Sequence, residues 1–262
     1  MSYALVALAA FFVSGLTMFS GFGLGTLLLP LFAIFLPVEV AVGATAVVHG
    51  ANSLFKTVVV GRNADKSLVL RFGIAAVIAA FGGAALLGLF ASLEPLLSYD
   101  VGSHQAVITP IKLLMGVLIL GFAFFELLPK LRDIKFQRDH LIVGGLLSGF
   151  FGGLSGHQGA LRSAFLIKAG VSTESFVGTN AVIALIVDAA RLLVYALFAV
   201  GSGFAAAKSG QAQYFIIVGV LAAFAGVLVG KKFMHKITVK AVQVLTGIML
   251  LGIGLALGSG II

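Results

Sequence analysis

The sequence GGLSGHQGALRSAFLIK, residues 152–168, decides how this chain is built. It lies inside a long apolar stretch, yet it contains several glycines together with His157, Gln158 and Arg162. Glycine weakens a helix, and an ionisable side chain within a membrane span is costly. The stretch is therefore predicted to be a broken helix that faces protein or a water-filled cavity rather than lipid. An alternative for the glycines alone is close packing between helices.

The composition of the whole chain is that of a membrane protein. Of its 262 residues, 60% are hydrophobic and 10% are charged, and the mean hydropathy is +1.18. Soluble domains carry roughly 25% charged residues, so a soluble core does not explain these values. Apolar segments long enough to cross a bilayer recur along the sequence. Since lipid cannot pair the backbone of an open strand, we predict an all-α polytopic membrane protein.

The composition also argues against several kinds of site. The net charge is +8, but most Lys and Arg residues fall in short loops between apolar segments, where they set topology rather than bind nucleic acid. The chain has no cysteine, which excludes disulfides, thiol catalysis and cysteine-ligated metals. Its five histidines are scattered, so neither a metal site nor a cofactor is predicted.

The two halves of the chain resemble each other. An offset of 135 residues aligns Ser20-Gly21 with Ser155-Gly156, and the motif LLMGVLILG of the first half resembles VLTGIMLLG of the second. The polar segment PKLRDIKFQRDH separates the halves. We predict a first membrane repeat at residues 1–128, a cytoplasmic linker at 129–138 and a second membrane repeat at 139–262.

The distribution of basic residues predicts the topology. Loops 61–71, 129–140 and 231–240 are rich in Lys and Arg and are therefore expected in the cytoplasm, unlike loops 92–107 and 201–211. Three apolar segments separate the second basic loop from the third. Both loops can be cytoplasmic if one of these segments enters and leaves on the same side. Each repeat is thus predicted to be a broken-helix hairpin followed by three transmembrane helices, with inverted topology and both termini outside.

At these motifs the sequence resembles the TauE/SafE family of anion permeases. The matching features are SGFGLGTLLLP (20–30) followed by VGAT (42–45), and SGFFGGLSGHQGAL (148–161) followed by VGTN (177–180). The similarity covers nearly the whole chain. It implies a secondary transporter, not an enzyme, that moves a small anion such as sulfite, sulfoacetate or a related organosulfonate across the bacterial inner membrane. An anion channel remains an alternative.

Polar side chains within the predicted spans are the candidates for the substrate site. Residues three or four apart share a helical face, as His49, Asn52, Ser53 and Lys56 do in one span. The candidate substrate-binding residues are Ser20, Gly21, His49, Asn52, Lys56, Ser155, Gly156, His157, Gln158, Asn180, Asp188 and Arg191.

The roles of the cationic candidates have two interpretations. Lys56 and Arg191 occupy equivalent repeat positions and are predicted to attract the anion, with Arg191 offering a planar fork. Alternatively, Lys56 reaches the headgroups and Arg191 only pairs with Asp188. Arg162 is explained equally well by topology or by anion attraction.

The hairpin turns are predicted to add backbone donors. Broken helices expose N–H groups that suit an anion, and Ser20-Gly21 and Ser155-Gly156 are the expected positions. His157 is either a proton-coupling residue or a hydrogen-bonded structural one. The sequence leaves open a homodimer. The tetrapeptide GLSG (153–156) also matches an intramembrane hydrolase pattern, but no histidine of a later span is available to activate the serine.

Overall fold

The chain is almost entirely helical in a computed structural model that describes residues 2–20, 24–102, 104–132, 136–166, 169–202, 210–233 and 239–262. The helices are α1 (Ser2–Ser20), α2 (Leu24–Ala33), α3 (Val38–Val60), α4 (Lys66–Leu68), α5 (Ile74–Ala91), α6 (Pro110–Leu127), α7 (Pro129–Arg132), α8 (Leu141–Ser155), α9 (Gly159–Leu166), α10 (Thr173–Ser202), α11 (Gly210–Phe233) and α12 (Val239–Gly258). A π-helical turn, Val69–Gly73, joins α4 to α5.

Each half begins with two helices that follow closely in sequence, α1 and α2 in the first and α8 and α9 in the second, and continues with three further long helices. Within the described residues, five helical stretches are long and apolar enough to cross a membrane: Val38–Asn63, Lys66–Ala91, Pro110–Leu127, Thr173–Leu197 and Ala212–Gly230. Shorter apolar stretches are Tyr3–Gly15, Leu24–Ala33 and Thr246–Gly258. The class of all-α polytopic membrane protein is thereby confirmed. The inverted orientation of the halves stays a prediction.

One element departs from the expected all-helical pattern. The loop predicted at 92–107 contains an antiparallel pair of strands, β1 (Leu97–Val101) and β2 (His104–Ile108). The Val107 N–H donates to the Gly260 carbonyl at 3.0 Å, and the Tyr99 hydroxyl donates to the Ser259 carbonyl at 2.5 Å. The hairpin is therefore held by the end of α12, a partner too distant in sequence for a local pattern to reveal.

The helices of the two halves interlock in pairs. Helix α1 of the first half packs on α11 of the second, and α8 of the second packs on α5 of the first. Helices α3 and α10, which hold equivalent places in the two halves, pack on each other, as do α6 and α12. If each helix is replaced by the equivalent helix of the other half, the same four pairs result. This arrangement is the one expected of two duplicated units that share a single core.

Glycines bring these helices into close contact. A Cβ at Gly149 or Gly153 of α8 would collide with the backbone of Ala76 or Ala80 of α5. A Cβ at Gly116 of α6 would lie 2.6 Å from the Gly258 Cα at the end of α12. Small residues allow such approach between membrane helices. Close packing between helices, the alternative interpretation, therefore explains Gly149 and Gly153 of the second hairpin. Gly156 has a different role.

Candidate functional site

The side chain of Asp188 is the centre of a buried polar cluster. Helix α10 carries Asp188, and the neighbouring α3 brings His49 and Ser53 to one of its oxygens. Asp188 Oδ2 lies 2.6 Å from His49 Nδ1, and it accepts from the Ser53 hydroxyl at 3.0 Å. Asp188 is fully buried. The predicted polar face of α3 thus meets the predicted polar face of α10, and Ser53, absent from the candidate list, belongs to the contact.

The break between α8 and α9 brings a third element to this carboxylate. Helix α8 ends at Ser155 and is capped by Gly156, whose φ of +83° is a left-handed conformation that glycine adopts without steric cost. Gln158 follows, and its Nε2 donates to Asp188 Oδ1 at 3.1 Å. The Ser148 hydroxyl donates to the Gln158 carbonyl at 3.0 Å and holds the break against α8. The predicted broken helix is present, and its Gln158 lies in the cluster.

Arg162 extends the cluster along α9. It lies one turn after Gln158, so both side chains share a face of the returning arm. Its Nη1 donates to Gln158 Oε1 at 2.8 Å, and its Nε donates to Asn180 Oδ1 at 2.7 Å. Arg162 is 2% exposed. The sequence interpretation left Arg162 out of the site. The spacing of four residues between Gln158 and Arg162 is the sequence feature that indicates a shared helical face.

Arg191 joins Asp188 to the end of α8. Its Nη2 is 2.8 Å from Asp188 Oδ1, and its Nη1 donates to the Gly152 carbonyl at 3.3 Å. A Cβ at Gly156 would lie 2.6 Å from Nη1, so a larger residue would displace the guanidinium. The Nε–H has no hydrogen-bond partner within the described part of the chain. Arg191 is fully buried, and one edge of its fork remains available.

His157 lies beside this cluster rather than on Asp188. The Ser155 hydroxyl donates to the Phe151 carbonyl at 3.1 Å, so Ser155 Oγ accepts from His157 Nδ1, 3.1 Å away. The ring stacks on Phe122 of α6 at a centroid distance of 4.8 Å, and its Nε2 finds no partner in the described ranges. The Ser155 hydroxyl proton points away from His157. A histidine that activates a serine nucleophile must instead accept that proton.

The predicted backbone donors are placed differently from the expectation. The Gly156 N–H already donates to the carbonyls of Gly152 and Phe151, at 3.0 and 3.1 Å, because it caps the C-terminus of α8. Ser155 and Gly156 therefore do not form an open nest of amides. The first N–H groups of α9 lack partners within their own helix and lie just beyond the break. The positive end at this break thus belongs to α9, since a helix carries its partial positive charge at its N-terminus.

The first hairpin contributes less to the described site. Ser20 ends α1, and Gly21 lies outside the described residues. At the start of α2, a Cβ on Gly25 would lie 3.2 Å from the Gly156 carbonyl oxygen and 3.3 Å from His49 Cδ2. The beginning of α2 therefore reaches the break of the second hairpin. The first turn of α2 and the break between α8 and α9 thus meet in the interior of the protein.

Two candidates on α3 lie apart from Asp188. Asn52 Oδ1 accepts from the Ser14 hydroxyl of α1 at 2.8 Å, which joins α3 to the first hairpin. Lys56 lies one turn beyond Asn52 and is partly exposed, and its charge interacts with that of Arg162. The equivalence of Lys56 and Arg191 in the repeat therefore does not give them equivalent surroundings.

The cluster carries more positive than negative charge. Among the described side chains that form its hydrogen-bonded network, Asp188 is the acid, whereas Arg162 and Arg191 are permanent cations. Both guanidinium groups lie where water does not reach them. No grouping of His, Asp and Glu suited to a metal ion occurs in the described part of the chain. The arrangement offers guanidinium, amide and imidazole groups to an anion.

Comparison with known proteins identifies one family. The family model of the sulfite exporter TauE/SafE matches residues 4–257, nearly the full length of the chain. No curated protein and no solved structure matches.

Proposed function

The chain belongs to the TauE/SafE family of sulfite exporters, and we propose that it is a secondary transporter for a small sulfur oxyanion or organosulfonate, such as sulfite or sulfoacetate. The observation that carries this proposal is the buried network around Asp188, in which Arg191 pairs with the carboxylate and Arg162 is joined to it through Gln158. Ionisable groups within membrane spans are expensive and generally mark a pathway for a substrate or ion.

The donors of this network suit a sulfonate or sulfite group. Planar guanidinium groups donate two parallel hydrogen bonds to neighbouring oxygens of such an anion. Arg191 has an unused Nε–H, and Arg162 is positioned through Asn180 and Gln158. The first turn of α9 adds a positive helix end close to Gln158. Burial strengthens each of these attractions, because little water is present to screen them.

The place of the network supports a carrier that alternates its access. His49 and Ser53 come from the first half of the chain, whereas Gln158, Asp188 and Arg191 come from the second. In carriers built from repeats, one unit rocks against the other around a site near the middle of the membrane. A substrate bound between the halves is then exposed to each side in turn. The cellular setting we propose is the bacterial inner membrane, with both termini outside.

Counterflow in proteoliposomes tests the proposal. Vesicles loaded with unlabelled sulfite should transiently accumulate labelled external sulfite, because a carrier exchanges substrate across the membrane. The accumulation should saturate and compete with sulfoacetate. Labelled uptake that neither saturates nor depends on internal sulfite would instead indicate a channel. Absence of uptake for sulfite, thiosulfate, sulfonates and small carboxylates would overturn the proposed function.

Arg162→Lys connects this activity to the described network. Lysine keeps the charge but loses the simultaneous contacts with Asn180 and Gln158. We expect counterflow to fall by about tenfold or more, which corresponds to the loss of one hydrogen bond to a charged group. Arg71→Lys, at an exposed position outside the network, is the matched control and should retain wild-type counterflow. Equal activity of the two variants would remove Arg162 from the substrate site.

A further inference from the structure

The edge of the Arg191 guanidinium formed by Nε and Nη2 lies next to Asp188. In a guanidinium group, the Nε–H and one Nη2–H point in the same direction and together bind two oxygens of an anion. In Arg191 neither Nε nor Nη2 makes a hydrogen bond within the described structure, although Nη2 lies 2.8 Å from Asp188 Oδ1. An oxyanion that takes both donors therefore lies beside the Asp188 carboxylate, and the two negative charges repel each other. Binding the anion would thus place a second negative charge next to Asp188.

The other oxygen of Asp188 faces a group that can offset the added negative charge. His49 Nδ1 lies 2.6 Å from Asp188 Oδ2, so its N–H donates to the carboxylate. A proton added at His49 Nε2 would convert the neutral ring into a cation while leaving the bond from Nδ1 intact. His49 is 12% exposed in its side chain, whereas Asp188 is fully buried, so the proton reaches the pair through the ring of His49.

We propose that the His49–Asp188 pair binds one proton together with each anion, making the proton a co-transported ligand. The inference rests on the proposed function, since it concerns the same site. The anion takes the Nε–H and Nη2–H edge of Arg191, and a proton on His49 offsets the negative charge that the anion brings next to Asp188. One proton then offsets one negative charge of the bound anion. No covalent bond between heavy atoms forms or breaks in this exchange.

Several helices carry charged or titratable groups near the His49–Asp188 pair. On α3 itself Lys56 lies two turns from His49, and on α10 Arg191 and Tyr195 follow Asp188. The second hairpin contributes His157 and Arg162. Helices α1, α2 and α5 contain no charged residue in their sequences. Lys112 and Glu126 lie near the two ends of α6, Lys231 and Lys232 near the end of α11, and Arg62 in the turn after α3.

His157 is the competing candidate for the proton. Its Nδ1 donates to Ser155 Oγ, and its ring is stacked on Phe122. No carboxylate contacts this ring in the described structure. His49, in contrast, has Asp188 as a direct partner to stabilise its charged form. The surroundings therefore assign the proton to His49.

Calorimetric titration of the purified protein with sulfoacetate tests the inference. Sulfoacetate is fully ionised at neutral pH, so it brings no proton of its own. Titrations in bis-Tris and in Tris, which differ in ionisation enthalpy, should show about one proton taken up per anion bound, and binding should tighten as the pH falls. Binding without proton uptake would overturn the inference and leave the transporter intact. Absence of binding by any tested anion would instead contradict the proposed function.

Two variants assign the proton to the pair. His49→Gln should still bind sulfoacetate but take up no proton, and Asp188→Asn should behave in the same way. His140→Gln, in an exposed turn outside the spans, is the matched control and should keep the wild-type proton number. Uptake that survives both changes at the pair but disappears in His157→Gln would overturn the assignment to His49. Because the wild-type proton number is itself decisive, a variant that fails to fold does not prevent the test.

Discussion

His49 and Asp188 are 139 positions apart in the sequence, yet His49 Nδ1 lies 2.6 Å from Asp188 Oδ2. The two residues belong to α3 and α10, the helices that occupy equivalent places in the two halves. Their contact therefore ties the halves together at a buried charge. A carboxylate at this position makes the packing of the halves depend on charge, since breaking one side of a buried pair is costly.

The topology is open to direct measurement, because the chain contains no cysteine. We expect single cysteines replacing Lys66, Lys135 and His235 to react with an impermeant thiol reagent from the cytoplasmic side. Cysteines replacing Asp100 and Ala205 should react from the outside. The physical reason is the retention of Lys-rich and Arg-rich loops in the cytoplasm. Opposite accessibility of positions 135 and 235 would contradict inverted repeats.

Arg191→Lys separates charge from geometry at the centre of the site. The lysine keeps a cation but loses the planar fork, so we expect anion binding to weaken by about 1.5–3 kcal/mol, the range for a hydrogen bond to a charged group. Asp188→Asn should instead preserve or tighten anion binding, because Arg191 is then less neutralised. Binding isotherms and thermal unfolding of both variants provide the measurement.

The double variant Asp188→Asn with Arg191→Met distinguishes an Arg191 that binds the anion from one that only pairs with Asp188. If Arg191 only balances Asp188, each single change should destabilise the protein, and the double change should restore stability and transport. If Arg191 holds the anion, the double variant should remain inactive whatever its stability. Comparing the sum of the single effects with the double effect isolates the interaction. Restored transport would remove Arg191 from the substrate site.

Adjacent glycines of α5 test the packing of the second hairpin. A Cβ on Gly83 would meet the Phe150 carbonyl and lie 2.8 Å from the Leu154 N atom, whereas one on Gly82 would meet nothing within 4 Å. We expect Gly83→Ala to lower the free energy of unfolding by about 1–3 kcal/mol through overpacking. Gly82→Ala should leave it unchanged or raise it by up to about 1 kcal/mol. Thermal melts in one detergent would compare them, and equal stability would refute close packing at Gly83.

Much of the architecture follows from the sequence alone. Segment length and hydropathy are sufficient for the membrane class, because a bilayer imposes the same length on every span. The glycines and polar residues at 152–168 predict the break in the second hairpin, where the structure ends α8 at Ser155 and begins α9 at Gly159. The spacing of Asp188 and Arg191 predicts that they share a face, since a helix repeats every 3.6 residues.

The membership of the site depended on the tertiary structure. Arg162 joins it and Asn52 turns to Ser14, although both lie on polar helical faces. A sequence period states which residues share a face, but not which neighbouring helix that face meets. At the break, the Gly156 N–H caps the C-terminus of α8, so it is not free to donate to an anion. Local hydrogen bonding determined the helices and the break; packing between halves more than a hundred residues apart decided which polar groups meet at Asp188.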